Sequence, residues 1–187
     1  MFDQILPKLA VPGCVGVLPT DTVYGLVARA ADESAVKRLY DLKFREGKPG
    51  TIIAASTDQL VGLGLKARYL KAVEQFWPGA VSVIIPCGPE LTYLHEGKFS
   101  LAVRIPDNQE LLNLLSKTGP LLTSSANHPG EPTATTLEQA NAYFNGNVDF
   151  YIDGGDLSNH LPSTIIRIVD DAIEIIRQGA VKVQENE

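Results

Sequence analysis

Three short segments of this sequence combine residue types that can hold and transform a small polar ligand. The first, Pro19-Thr20-Asp21-Thr22-Val23-Tyr24-Gly25-Leu26, places hydroxyls, a carboxylate and a glycine between two apolar runs. Such residues can offer hydroxyl and backbone donors, and they equally suit a plain turn, where Asp and Gly are common. The second, Lys43-Phe44-Arg45-Glu46-Gly47-Lys48-Pro49, lies just beyond an expected helix end. Cations suit a helix C-terminus, each contributing about 0.3–1 kcal/mol. That accounts for one or two of them but not for Lys48, further on beside a proline. The set favours a phosphate clamp, in which Arg supplies a fork of donors and Lys a point charge. The third runs from Gly119 through Thr123-Ser124-Ser125-Ala126-Asn127 to His128-Pro129-Gly130. Hydroxyls and an amide at a strand's end line clefts in α/β folds, although Ser and Asn also favour loops in general.

Other chemistry is missing. There is no Gly-x-x-x-x-Gly-Lys-Ser/Thr loop and no Gly-x-Gly-x-x-Gly, Gly62-x-Gly64 being a fragment of the latter. His95, His128 and His160 stand apart, without a partner at metal-ligand spacing, so no resident metal is expected. No Gly-x-Ser-x-Gly elbow occurs, and neither Cys14 nor Cys87 sits in a nucleophile signature. Covalent catalysis has no support here.

The elements that must position these segments read as mixed α/β. Apolar runs predict strands at 15–19, 24–30, 51–55, 80–86, 100–105, 121–124, 148–152, 163–169 and 173–177. A helix is expected after Asp32, with Val36, Leu39 and Tyr40 on one face, and another from about Lys66 to the stop at Trp77-Pro78-Gly79. A Leu-rich helix between Asp107 and Lys117 opens on Asp-x-x-Glu, and Thr135-x-x-Glu138 predicts a capping box for a helix ending near Phe144. Strands that follow one another with no helix between them predict a mixed sheet. The 187 residues, 44% hydrophobic and 20% charged, suit one domain over 1–187, and no repeat or linker divides them.

No apolar run approaches the roughly 18 residues of a membrane span, and the N-terminus lacks the features of a signal peptide. Two lone cysteines make no disulfide framework, so a cytoplasmic location is expected. The net charge of −6 argues against a dedicated nucleic-acid binder. Yet five of the 16 Lys and Arg residues fall between Lys37 and Lys48, a pattern better suited to a small polyanion than a long one.

In this order the segments resemble the YrdC/TsaC family of L-threonylcarbamoyladenylate synthases. That family's pattern has Pro-Thr-Asp/Glu-Thr-x-Tyr-Gly-Leu, then Lys-x-Arg, then Ser-x-Asn, here Pro19 to Leu26, Lys43-Phe44-Arg45 and Ser125-Ala126-Asn127. Trp77-Pro78-Gly79, Leu101-Ala102-Val103-Arg104, Ser163-Thr164-Ile165 and Arg177-x-Gly179 extend the likeness over nearly the whole chain. There are departures: Gly50 stands where the family usually has Leu, and His128-Pro129-Gly130 replaces the usual x-Ser-Gly. The chain ends where short, single-domain members end, so the resemblance implies no C-terminal extension.

The resemblance implies a twisted open mixed sheet with flanking helices around a large cavity. It implies a reaction of L-threonine, bicarbonate and ATP in which a threonine carbamate attacks the α-phosphorus and pyrophosphate leaves. The attacking oxygen is already anionic, which agrees with the absence of a nucleophile. By the same resemblance Lys43 and Arg45 bind and polarise the phosphates with Lys48 nearby, Asn127 holds the nucleotide, and Ser125 lies between threonine and the reacting phosphate. Arg104 is the implied partner of threonine's carboxylate, with Thr20, Thr22 and Ser163 as further contacts. Ser100, Thr135 and Arg177 serve the nucleotide, and Mg²⁺ accompanies ATP. The product would pass to the tRNA threonylcarbamoyl transferase complex, with at most weak binding of tRNA by this chain. The rival reading is an RNA-binding protein of the same fold without synthase activity.

Overall fold

Residues that alternate between apolar and small or polar types build a central sheet, and its two faces have different fates. In the computed structural model, residues 1–44, 47–170 and 172–184 are described. Along the chain the elements are α1 (Leu6–Leu9), β1 (Val15–Pro19), β2 (Tyr24–Arg29), α2 (Glu33–Leu42), β3 (Thr51–Ile53), α3 (Thr57–Leu63), α4 (Ala67–Lys71) and β4 (Val81–Pro86). Then follow α5 (Thr92–His95), β5 (Ser100–Arg104), α6 (Gln109–Thr118), β6 (Leu121–Ser125), α7 (Leu137–Phe144), β7 (Phe150–Tyr151), β8 (Thr164–Val169) and β9 (Ala172–Arg177). The strands form one sheet in the order β7-β1-β2-β6-β3-β5-β4-β8-β9. It is mixed, as expected: β1/β7, β3/β5 and β4/β8 pair parallel and the remaining pairs antiparallel.

Side chains alternate across a strand, and the buried clusters divide accordingly. Leu26, Ile52, Val103 and Leu122 pack with Val36, Leu39 and Tyr40 of α2 and Phe144 of α7. Val27, Ile53 and Leu121 pack on the other face with Ile5, Leu9 and the Leu111, Leu114 and Leu115 stripe of α6. On that second face the alternation also places Gly25, Thr51, Arg104, Thr123 and Ser125. These are small or polar where a covered sheet would be apolar.

Two helix starts differ from the expected ones by a residue. Asp32 does cap α2, its carboxylate accepting from Ala35 N at 3.0 Å. At α6, however, Asn108 and not Asp107 accepts from Leu111 N. At α7 the cap is Thr136, bonded by Gln139 N, while Gln139 Oε1 accepts from Thr135 N at 2.8 Å. Gln139, rather than Glu138, therefore returns the reciprocal bond. The same device starts α3, which the apolar spacing does not reveal: Ser56 Oγ accepts from Gln59 N and Gln59 Oε1 from Ala55 N. The helix expected from 66 to 77 breaks at Val73 (φ −124°, ψ 3°) into α4 and a 3₁₀ turn, Glu74–Phe76. A β-branched side chain is stiff in a helix, and Val73 instead buries itself at 3% exposure.

Candidate functional site

The β1–β2 junction is a turn held by its own hydroxyls. Thr20 Oγ1 accepts from the backbone N–H of Thr22 and Val23, donates to Val23 O at 2.7 Å, and lies 3.0 Å from Thr22 Oγ1. A hydroxyl has one hydrogen, and Val23 O takes that of Thr20. Thr22 is then the donor in the hydroxyl pair, which leaves its lone pairs for a ligand. Tyr24 anchors the junction from behind, accepting from Gly154 N and donating to Gly155 O at 2.9 Å. Burial pushes the phenol above its ordinary pKa, against the Gly154 N–H and with the nearby Asp153, so it remains a donor.

Around this junction a cleft of about 130 Å³ opens on the partly uncovered face. Thr20 and Thr22 line one side, with Pro49, Gly50 and Thr51 before and at the start of β3. The end of β5 contributes Arg104, β6 contributes Thr123, Ser124 and Ser125, and Ser163 and Arg177 close the far side. Arg177 Nη2 donates to Ser163 O at 2.7 Å, and Ser163 Oγ lies 2.9 Å from Ser82 Oγ. Gly179 permits this closure: a Cβ there would stand 2.2 Å from Pro162 O. Arg104 and Asp21 form an ion pair with side chains only 3% and 6% exposed.

Thus Thr20, Thr22, Arg104, Ser125, Ser163 and Arg177, distant in sequence, share one cleft. Lys43 and Asn127 meet beside it. Lys43 Nζ donates to Ser125 O (2.7 Å), Asn127 O (2.5 Å) and Asn127 Oδ1 (2.8 Å). Ser125 Oγ donates to the same Asn127 Oδ1 at 2.7 Å, and Asn127 Nδ2 to Glu131 O. The second and third sequence segments are therefore joined by direct hydrogen bonds. Arg45 lies outside the described residues. Lys48 is exposed next to Pro49, and Ser100 shares the cleft face of β5 but sits at the strand's opposite end from Arg104. Thr135 is absorbed in the start of α7. Among the described residues, Lys48, Ser100 and Thr135 are not in the cleft wall.

Sequence reading assigned no role to Asp21 or Ser124, though both lie inside its motifs. Ser124 Oγ is buried, lines the cleft and has no hydrogen-bond partner among the described residues. Its place in the hydroxyl run was the available signal. His128 packs its ring against Phe44, Tyr143 and Phe144 at centroid distances of 5.6, 5.3 and 5.7 Å. It thereby ties Phe44, the residue after Lys43, to α7. Among the described residues no group of three or more His, Cys, Asp or Glu comes together, and no helix is long and apolar enough to cross a membrane.

A cleft with two arginines and many hydroxyls suits an anionic, hydroxyl-bearing ligand. Residues 9–179 match the model of the Sua5/YciO/YrdC family, described as "Telomere recombination". The chain is 35% identical to a threonylcarbamoyl-AMP synthase of Klebsiella pneumoniae over 195 residues, covering 95% of this chain and 100% of that one. It is 33% identical to the threonylcarbamoyl-AMP synthase of Bacillus subtilis over 181 residues, covering 92% of this chain and 52% of that one. Among solved structures, Pyrococcus abyssi Sua5 complexed with L-threonine superposes with a TM-score of 0.82 at 30% identity, over 94% of this chain and 54% of that one. The chain thus spans about half the length of the latter two relatives. Matched by the family model from the first helix to the end of the cleft wall, the chain belongs to the Sua5/YciO/YrdC family.

Proposed function

We propose that this protein is a cytosolic L-threonylcarbamoyl-AMP synthase, forming threonylcarbamoyl-AMP and pyrophosphate from L-threonine, bicarbonate and ATP. What carries this reading is a cleft of arginines and hydroxyls, abutting the Lys43–Ser125–Asn127 cluster, in a chain of this family. Arg104 receives the threonine carboxylate, and Thr22 and Ser163 accept from its polar hydrogens. Thr20 acts through the turn it holds. The threonine amine bonds to the carbon of bicarbonate, and water is lost as the carbamate forms. A carbamate oxygen then bonds to the α-phosphorus while the bond from that phosphorus to the α–β bridging oxygen breaks. Pyrophosphate leaves with the electron pair.

For this displacement the chain supplies alignment and charge. Lys43 and Arg45 neutralise the phosphates, and Lys43 exchanges its Asn127 Oδ1 contact for a phosphate oxygen. Freed from that contact, Asn127 and Ser125 hold the nucleotide beside threonine. Arg177 meets the nucleotide at the far wall, with Lys48, Ser100 and Thr135 along its outer path. Mg²⁺ fits as a companion of the triphosphate, because a hard cation that keeps phosphate and water ligands needs no protein cage, and when bound it spreads the phosphate charge. The product passes to the tRNA threonylcarbamoyl transferase complex.

The test is pyrophosphate release from ATP with threonine, serine or valine, with and without bicarbonate. Release should require an amino acid and bicarbonate together. Serine lacks one methyl and should run about 10–200-fold below threonine. Valine leaves the pocket hydroxyls unpaired and should fall near background. Equal release without threonine would refute the synthase reading.

A further inference from the structure

We infer that Asp21 is a positioning residue that sets the Arg104 guanidinium to receive the carboxylate of the amino-acid substrate. The inference rests on the proposed synthase reading and deepens it. Asp21 stands at the tip of the β1–β2 junction, between the two hydroxyls of Thr20 and Thr22. One of its oxygens accepts from Arg104 Nη1, and the other accepts from Asp107 N at 3.3 Å. The carboxylate therefore bridges from the junction to the chain just beyond β5 and is fixed at both oxygens. It can hold the guanidinium in one rotation.

The state of Arg104 shows what that rotation serves. A guanidinium has five N–H donors. Its side chain is 3% exposed, yet among the described residues Asp21 is its only partner, and its Nε is buried without one. Buried donors are almost always paired in native proteins. An arginine so enclosed, paired on one side only and built into a cleft wall, is disposed to take a second anion. Buried ion pairs add little net stability over apolar packing, so a purely structural role accounts poorly for a charged pair at this place. Pre-orienting the fork lowers the ordering cost of binding and so tightens it.

The experiment measures KM for threonine and for ATP, with kcat, in Asp21→Asn. Asn keeps the shape and loses the charge that holds Arg104. The expected result is a threonine KM raised about tenfold or more, with ATP KM and kcat at saturating threonine within about twofold of the starting protein. Asp21→Glu keeps the charge pair but shifts the fork by one methylene. It should raise threonine KM severalfold, and it carries the test should the Asn variant not fold. In an Arg104→Lys background, Asp21→Asn should add little further loss, because it acts through Arg104. Unchanged threonine KM in both Asp21 variants, a lowered threonine KM, both KM values rising together with a fallen melting temperature, or full additivity with Arg104→Lys would each overturn the proposal. Failure of the synthase reading is distinct: the unsubstituted protein would then release pyrophosphate without regard to threonine.

Discussion

Lys43 carries a charge that the fold has almost wholly enclosed, at 2% exposure. As the C-cap residue of α2 it could be read as a cation answering a helix dipole. Its acceptors argue otherwise, since Ser125 O, Asn127 O and Asn127 Oδ1 belong to the β6 end and not to α2. A dipole contact would contribute about 0.3–1 kcal/mol and no catalysis. Removing one preorganised donor from a site that stabilises developing charge costs about 2.7–4 kcal/mol of barrier. Lys43→Ala should therefore reduce turnover at least tenfold. It should also lower unfolding free energy by about 1–3 kcal/mol, because buried acceptors lose their donor. Pyrophosphate release and urea unfolding read the two effects separately, and near-normal turnover would return Lys43 to the helix-end role.

At the scale of elements, the approach of β3 to β6 fixes one wall of the cleft. Thr51 pairs with Thr123, and just before it a Cβ on Gly50 would lie 2.6 Å from Thr123 O and 2.9 Å from Leu122 Cδ1. A backbone carbonyl held in a ladder cannot retreat cheaply, which explains why Gly stands here. Gly50→Ala should cost about 1–3 kcal/mol of stability through overpacking. Gly62→Ala is the contrasting case: it lies inside α3 with nothing within 4 Å of the added atom. It should stabilise by about 0.5–1 kcal/mol. Paired denaturation curves test both, and a Gly50→Ala protein as stable as the original would disprove the steric account. The strand segments were readable as short apolar runs. Helix α3 escaped that reading because its start is signalled by Ser56 and Gln59 rather than by a buried stripe, only Leu60 in it being buried.

For the molecule as a whole, the basic segment presents less charge than its composition suggests. Lys37 pairs with Asp41, Arg38 with Asp149, and Lys43 is enclosed. With a net charge of −6, few phosphate counterions can be released on binding a long polyanion. Binding of tRNA should accordingly be weak and sequence-independent, and it should vanish by moderate salt, with a slope of log K against log salt of magnitude below about 3. A filter-binding or fluorescence titration across salt concentrations measures this. Tight binding that persists at high salt would favour an RNA-binding role.

The sequence by itself determined the strands, the mixed character of the sheet and the three polar segments, because these follow from local periodicity and from residue types that favour strand ends and turns. It could not determine which segments meet. Lys43 reaches Asn127 across 84 positions and Arg104 reaches Asp21 across 83. These contacts exist because the sheet order sets β2 beside β6, β6 beside β3 and β3 beside β5, and strand order is a property of the packed whole. Local pattern likewise leaves open whether Thr20 offers its hydroxyl to a ligand or spends it on the turn. Tertiary structure decided for the turn, since Val23 O and two backbone N–H groups already satisfy that oxygen.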